Sequence, residues 1–138
     1  MEQQERTERI PERERFRRIH RLRSSLDFAR VRRGRRVSGT FLALAYLRRE
    51  PDVADALPRI GFSVGKRVGK AVERNRIKRR LRESVRHKLV NLTPGWDLTI
   101  SARAGASEAG YAALDAELNE LLTRARLWRP EAQQGRAL

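Results

Sequence analysis

Residues 70–92, KAVERNRIKRRLRESVRHKLVNL, combine a dense positive charge with regularly spaced apolar residues. Apolar side chains recur every four residues, and at about 100° per residue they fall within about 120° of one another on a helix. Burial of the four large side chains stabilises the fold by very roughly 6–12 kcal/mol, before the loss of conformational entropy is subtracted. We therefore predict a helix from about Lys70 to Leu92 that docks one stripe on the rest of the domain. The stripe is formed by Ile77, Leu81, Val85 and Leu89, with Ala71 and Leu92 in the same sector.

The charge of this predicted helix lies mostly on its other side. Residues 66–88 hold eleven Lys and Arg against two acids, a net charge of +9 in a chain whose net charge is +15. An ordinary solvated helix face carries neutralising acids, which are missing here. Arg74 and Lys78 fall in the sector of the stripe, so either the helix start overhangs the sheet, which we favour, or they line a groove beside it. The outward-facing arginines are Arg76, Arg79, Arg80, Arg82 and Arg86.

Composition limits the class of protein. A length of 138 residues suits one domain, and 32 Lys and Arg against 17 Asp and Glu predict a polyanionic partner. The absence of cysteine excludes disulfides and thiolate metal sites. No apolar run approaches the roughly 20 residues that cross a bilayer, and a lipid-surface helix would need massed Trp, Phe and Leu. We expect a soluble cytoplasmic protein without a membrane partner.

The remaining pattern predicts three regions: a flexible charged arm over 1–19, a folded domain over 20–127 and a flexible tail over 128–138. Within the domain, the capping-box spacing Ser24-x-x-Asp27 starts a helix that Gly34 closes. Strands are expected over 37–48, 59–66 and 96–102, with a hairpin-like loop over 50–58 between the first two. An apolar stripe predicts a last helix after residue 110. The prediction is an α+β sandwich with helices packed on a small sheet.

Catalytic chemistry finds little support in the sequence. His20 and His87 have no partners at metal-ligand spacing, and the acids of the domain body form no recognisable group. Gly65-Lys66 does not complete a phosphate-binding loop, because Ile60 and Arg67 occupy positions that need glycine and Ser or Thr. We expect a binding protein with no catalytic residue, metal site or cofactor of its own.

Phe28 suggests a second binding feature. Its face of the first helix, combined with Leu42 and Leu44, predicts an apolar groove able to receive an unpaired nucleic-acid strand. The pattern fits equally well with all three residues being part of the core.

Residues 59–79, RIGFSVGKRVGKAVERNRIKR, closely resemble the signature of the bacterial ribonuclease P protein subunit, whose RNR motif matches Arg74-Asn75-Arg76. Further matches are Arg21-Leu22, Asp27-Phe28, Gly34 and the run ISAR over 100–103. The resemblance spans residues 20–127. It implies an α+β fold of order α-β-β-β-α-β-α, of the type found in the second domain of ribosomal protein S5, with a mixed sheet of about four strands and a left-handed β-α-β crossover.

The resemblance also implies a function. In this family the protein joins a catalytic RNA that requires magnesium, binds the 5′ leader of precursor tRNA and assists its endonucleolytic removal by hydrolysis. A monomeric protein, one per RNA, is expected. The residues implied to bind the catalytic RNA are Lys66, Arg67, Lys70, Arg74, Asn75, Arg76, Lys78, Arg79 and Arg82. The implied leader groove is lined by Phe28, Arg32, Leu42 and Leu44, with Arg32 where a second aromatic is often found.

Two other functions remain open from the residues alone. A ribosomal or generic RNA-binding protein would use the same cationic helix, and a self-sufficient nuclease would cleave RNA without an RNA subunit. The missing catalytic group disfavours the nuclease.

Overall fold

The computed structural model describes residues 21–22, 24–49 and 57–129 of the chain. Three short 3₁₀ turns, at Lys66–Val68, Leu89–Asn91 and Ala104–Glu108, connect the main elements. The predicted α+β class and element order are confirmed. The arm over 1–19 and most of the predicted tail lie outside the described residues. The main elements are α1 (Ser25–Arg32), β1 (Arg35–Ser38), β2 (Leu42–Arg48), β3 (Arg59–Ser63), α2 (Ala71–Arg86), β4 (Trp96–Ala102) and α3 (Tyr111–Arg124).

The four strands form one mixed sheet in the order β1-β2-β4-β3. β4 pairs antiparallel with β2 and parallel with β3. The β3-α2-β4 segment is therefore a β-α-β crossover. Its left-handedness, implied by the family resemblance, remains a prediction. The hairpin-like connection predicted over 50–58 is wrong, because β2 and β3 do not pair with each other but flank β4. The hairpin is instead formed by β1 and β2, where the sequence predicts one continuous strand over 37–48.

The stripe predicted for α2 is confirmed. Ile77, Leu81 and Val85 are at most 1% exposed, and Leu89, in the following 3₁₀ turn, is also buried. The α-helix ends at Arg86, earlier than predicted, and Ala71 is exposed rather than in the stripe. The helix is therefore anchored along its middle and its end, while its first turn lies outside the core.

The sheet has two different faces, because successive side chains of a strand point to opposite sides. α2 and α3 cover one face, where the main core includes Leu42 and Leu44 of β2. α1 covers the other face with a separate, smaller cluster around Val31 and Ala45. The central strands thus bury side chains on both sides, as the sequence predicted for residues 37–48.

α1 lies close against β2. Its start is capped by Ser24, whose hydroxyl accepts a hydrogen bond from the Asp27 amide at 3.0 Å. After its end, Gly34 passes so close to β2 that an added Cβ would lie 2.2 Å from the carbonyl oxygen of Tyr46. Any larger residue there would push α1 and β1 away from the sheet.

The turn between β1 and β2 is tied to α3 by one carboxylate. Glu117 accepts hydrogen bonds from three successive backbone amides, those of Thr40, Phe41 and Leu42, at 2.9, 2.7 and 2.6 Å. An added Cβ on the neighbouring Gly39 would lie 2.4 Å from the carboxyl carbon of Glu117. The side chain therefore fits into a turn whose shape depends on glycine.

Trp128 belongs to the folded domain, although the sequence assigned it to the tail. It packs partly buried against the main core and forms an isolated antiparallel bridge with Leu92. The Lys88 ammonium lies 5.5 Å from the centre of its ring, a cation–π contact. Trp128, one residue past the predicted boundary at 127, thus packs with the domain.

Candidate nucleic-acid interface

The residues predicted to contact RNA, all cations except Asn75, fall into two rows along α2 and the turn before it. The first row is exposed and makes no ion pair with any other described residue. It covers the 3₁₀ turn, the first residue before α2 and the outer side of the helix. Its members are Lys66, Arg67, Lys70, Asn75, Arg76 and Arg79.

The second row is half-buried and consists of Arg74, Lys78 and Arg82, one helical turn apart. The Arg74 Nε donates to the carbonyl oxygen of Gly69 at 3.2 Å, which fixes this side chain at the helix start. Lys78 and Arg82 line a pocket beside the sheet. Of the two placements considered for Lys78, the structure therefore supports the groove rather than the overhang.

This pocket lies at the outer edge of β3, between α1 and α2, and has a volume of about 150 Å³. Apolar and aromatic side chains form much of its lining, and cations stand at its α2 side. Such a combination suits a nucleotide, whose base has an apolar face and whose phosphate is anionic. The lining residues are Arg21, Leu22, Phe28, Ile60, Gly61, Phe62, Lys78 and Arg82.

Phe28 reaches this pocket because β3 has a glycine beneath it. An added Cβ on Gly61 would lie 2.3 Å from the Phe28 Cζ, so the ring packs directly on the strand backbone. A glycine inside a strand is a sequence signal of such a close approach, and here it marks β3 as the strand on which the Phe28 ring lies.

Leu42 and Leu44 do not share a groove with Phe28. They are 0% and 1% exposed and lie in the main core on the opposite face of the sheet. Phe28 packs instead against the small cluster that contains Ala45 of β2, whose side chain points to the α1 side. The sequence could not separate the two faces of β2, because both carry apolar residues. Arg32, also expected in the groove, is exposed near the end of α1.

Two of the arginines predicted to face outward have partners within the protein. The Arg80 Nη1 donates to the carbonyl oxygen of Ala109 at 2.9 Å and so holds the segment before α3. Arg86 forms an ion pair with Glu83, three residues earlier. Hydrogen bonds from Arg86, the largest influence, hold the pKa of Glu83 below its usual range despite partial burial. The exposed cations without a described ion-pair partner are therefore concentrated between Lys66 and Arg79.

A buried polar network joins the end of α2 to α3. The Lys88 ammonium, 3% exposed as a residue, donates to Ser84 Oγ at 2.8 Å and to Asp115 Oδ1 at 2.5 Å. Burial lowers the pKa of Lys88, although the hydrogen bond to Asp115 opposes this shift. Burial alone would raise the pKa of Asp115, but hydrogen bonds from Lys88 and Ser84 outweigh it and lower the pKa. The network fixes the orientation of α2 against α3.

Within 24–49 and 57–129, no three His, Asp or Glu residues come together in a way that could hold a metal ion. No helix of the described part is long and apolar enough to span a membrane.

Comparison with known proteins agrees with the geometry. The sequence profile of the family described as Ribonuclease P matches residues 16–126. The ribonuclease P protein component of Chloroflexus aggregans is 43% identical over 112 residues, covering 80% of this chain and 80% of its own length. That of Herpetosiphon aurantiacus is 40% identical over 117 residues, covering 84% and 92%.

Solved structures give the same result. The Staphylococcus aureus RNase P protein aligns with a TM-score of 0.72 at 25% identity, covering 80% of this chain and 98% of its own. The Thermotoga maritima RNase P protein aligns with a TM-score of 0.66 at 26% identity, covering 75% and 96%. On its sequence, its fold and its cationic helix, this chain belongs to the ribonuclease P protein family.

Proposed function

We propose that this protein binds the catalytic RNA of ribonuclease P through the exposed cations of α2 and binds the 5′ leader of precursor tRNA beside Phe28. In this way it assists endonucleolytic removal of the leader. Membership of the family supports the ribonucleoprotein role, and the division of the α2 cations into two rows supports two RNA contacts. The observation that carries the proposal is the exposed row, which no acid of the described residues neutralises.

The exposed row suits a folded RNA. Arginine guanidinium groups bind phosphate oxygens two at a time, and Asn75, between two cations, has a side chain that hydrogen-bonds a 2′-hydroxyl or a base edge. The apolar stripe and the Lys88 network hold α2 rigidly, so the cations of the exposed row need little ordering when RNA binds. The catalytic RNA is the proposed partner of this side.

The pocket at the edge of β3 suits a single-stranded segment. Phe28 offers a ring for base stacking, and Lys78 and Arg82 offer charge for an adjacent phosphate. Since both cations come from α2, a strand in this pocket would lie next to RNA bound on the exposed row. The leader of precursor tRNA is the proposed occupant.

Hydrolysis is assigned to the RNA subunit, with magnesium bound by the RNA and no cofactor bound by the protein alone. The acids of the described residues form no group suited to a metal, so a site built by this chain has no support there. We further propose a cytoplasmic location and a monomeric protein, one per catalytic RNA.

Reconstitution tests this function. The protein is added to its cognate RNA at low magnesium, and leader removal from precursor tRNA is measured with and without it. We expect a clear acceleration with protein and no cleavage by rigorously RNA-free protein. An unchanged rate would contradict the proposal. Co-purification with ribosomal particles instead of one catalytic RNA would indicate a general RNA-binding protein.

A further inference from the structure

One cluster of charged residues is not used by the two RNA contacts described above. Asp97 of β4 is fully buried on the α1 side of the sheet, and two arginines hydrogen-bond its carboxylate. Arg59 of β3 donates from Nε to Oδ1 at 3.0 Å and from Nη2 to Oδ2 at 2.8 Å. Arg30 of α1 donates from Nη2 to Oδ2 at 2.5 Å. The carboxylate therefore joins α1, β3 and β4.

A third arginine leaves the cluster with more donors than acceptors. The Arg49 Nε lies 3.0 Å from Asp97 Oδ1 but has no partner in hydrogen-bond geometry, although it is buried. Asp27, whose carboxylate lies 3.6 Å from Arg30, is the second acid of the group. Among the residues that the structure describes, three guanidinium groups thus meet two carboxylates. An additional anion that reaches the exposed guanidinium groups would balance the charge.

Two of the guanidinium groups are accessible to such an anion. The side chains of Arg30 and Arg59 are 39% and 32% exposed, whereas that of Asp97 is 0% exposed. Each guanidinium has five N–H donors, and Asp97 engages only one of Arg30 and two of Arg59. The buried Asp97 carboxylate fixes the guanidinium groups of Arg30 and Arg59 from the protein side. Their remaining N–H donors are available to a phosphate that approaches from solvent.

The cluster lies directly beside the Phe28 pocket. Arg59 and Gly61 are two residues apart on the same face of β3, which separates their Cα atoms by about 6.6 Å. Phe28 packs on Gly61, so a nucleotide stacked on Phe28 would place a neighbouring phosphate within reach of Arg59. One extended strand can therefore contact both features.

We propose that Arg30 and Arg59, positioned by the buried Asp97, bind a backbone phosphate of single-stranded RNA next to the nucleotide held at Phe28. The inference rests on the proposed function and identifies this RNA as the 5′ leader of precursor tRNA. A purely structural ion-pair cluster that fixes α1 on the sheet is the competing explanation. It predicts a loss of stability without a change in leader affinity.

The first test compares the reconstituted holoenzyme carrying Arg30→Gln and Arg59→Gln with the wild type. We expect the double variant to bind long-leader precursor tRNA about tenfold more weakly, the effect of losing two charge-assisted contacts. Affinity for mature tRNA should be unchanged. Arg126→Gln, which removes one cation beyond α3 on the opposite side of the sheet, is the matched control. Equal losses for precursor and mature tRNA, or no loss for either, would overturn the proposal.

The second test locates the phosphate. Single leader phosphates are replaced by neutral methylphosphonates, and binding to wild type and double variant is compared as a double-mutant cycle. One position should weaken wild-type binding about tenfold while leaving the variant unaffected. Additive effects at every position would refute a direct contact. If instead wild type binds precursor and mature tRNA equally, the proposed function itself fails, which separates the two conclusions.

A third comparison concerns the acidic segment that follows Arg49. Glu50, Asp52 and Asp55 lie outside the described residues, and the charge-neutral variant of all three is combined with Arg30→Gln and Arg59→Gln. If the arginines bind the leader, their tenfold effect persists without these acids. Disappearance of the effect would mean that the arginines act by neutralising the acids, which would overturn the proposal.

Discussion

The two faces of the sheet differ in how they are held together. The face under α2 and α3 is a continuous apolar core that includes Leu81 and Leu118. The face under α1 has only a small apolar cluster around Val31, together with the buried polar residues Asp97 and Thr99. The comparison indicates that one face supplies most of the stability. The other, with less apolar area and more hydrogen-bonding groups, keeps side chains accessible to a ligand.

The largest expected effect on stability comes from removing the charge of Asp97 on the α1 side of the sheet. Asp97→Asn should lower the free energy of unfolding by about 3–5 kcal/mol, because it leaves the largely buried Arg49 and the partly exposed Arg30 and Arg59 without their counter-charge. Burial alone would raise the pKa of Asp97, but hydrogen bonds from Arg59 and Arg30 outweigh it and lower the pKa. The contribution of Asp97 is therefore fully present above its ordinary value of 3.8 and is lost as the pH falls through the lower folded value.

Urea unfolding of Asp97→Asn and wild type between about pH 3 and pH 7 measures this effect. The difference between them should shrink at the acid end of the range. Asp27→Asn, which removes a partly exposed acid from the same cluster, is the control and should cost much less. A difference independent of pH would show that Asp97 has the same pKa in the folded and unfolded chain, contrary to the lowered folded pKa.

Truncation of one side chain on the α2 and α3 side of the sheet should lower the free energy of unfolding somewhat less. Leu81→Ala removes a fully buried side chain of the α2 stripe and should cost about 2–5 kcal/mol. Val31→Ala, also fully buried but under α1, should cost about 1.5 kcal/mol. Chemical unfolding measures both. Equal costs would mean that the two clusters are equally important, contrary to the comparison.

Glu117→Gln tests how α3 holds the edge of the sheet. The amide keeps one acceptor oxygen but loses the charge that three backbone amides share, so we expect a loss of about 1–3 kcal/mol. Faster hydrogen exchange at Thr40, Phe41 and Leu42 should accompany it. Exposed Glu120→Gln, one turn away on the same helix, is the matched control and should have no effect.

The smallest effect on stability is expected on the exposed row. Arg76→Gln with Arg79→Gln should leave the unfolding free energy unchanged and weaken binding of the catalytic RNA. The slope of log affinity against log salt should fall by about 0.7–0.9 for each phosphate contact removed. Arg80→Gln is the control, since its guanidinium is bonded to Ala109 and its loss should affect stability more than binding. A wild-type slope in the double variant would contradict direct phosphate contact.

The helices were more predictable than the sheet. The α2 stripe and the Ser24 cap follow from spacings of three and four residues, which a sequence displays directly. The pairing of β3 with β4 brings together segments separated by a whole helix, and no local pattern records it. The face of Leu42 and Leu44 was missed because alternation gives no orientation when both sides of a strand are apolar.

The candidate site was predictable where its residues lie on one helix. The exposed row follows from charge and helical spacing alone. Arg80 was misassigned because its partner is a backbone carbonyl 29 positions later. Asp97 was counted among the acids that form no recognisable group, because a single acid in a strand gives no sign of its partners. Its role depends on arginines from three other segments.

The central position of β4 constrains how the chain folds as it is synthesised. β3 connects to the rest of the sheet through β4, which begins at Trp96, and the β1–β2 turn is fastened by Glu117 still later in the chain. While the N-terminal half emerges from the ribosome, neither attachment exists. α2 is therefore translated before β4 and α3, which complete the core beneath it, and folding must wait until the C-terminal third is released.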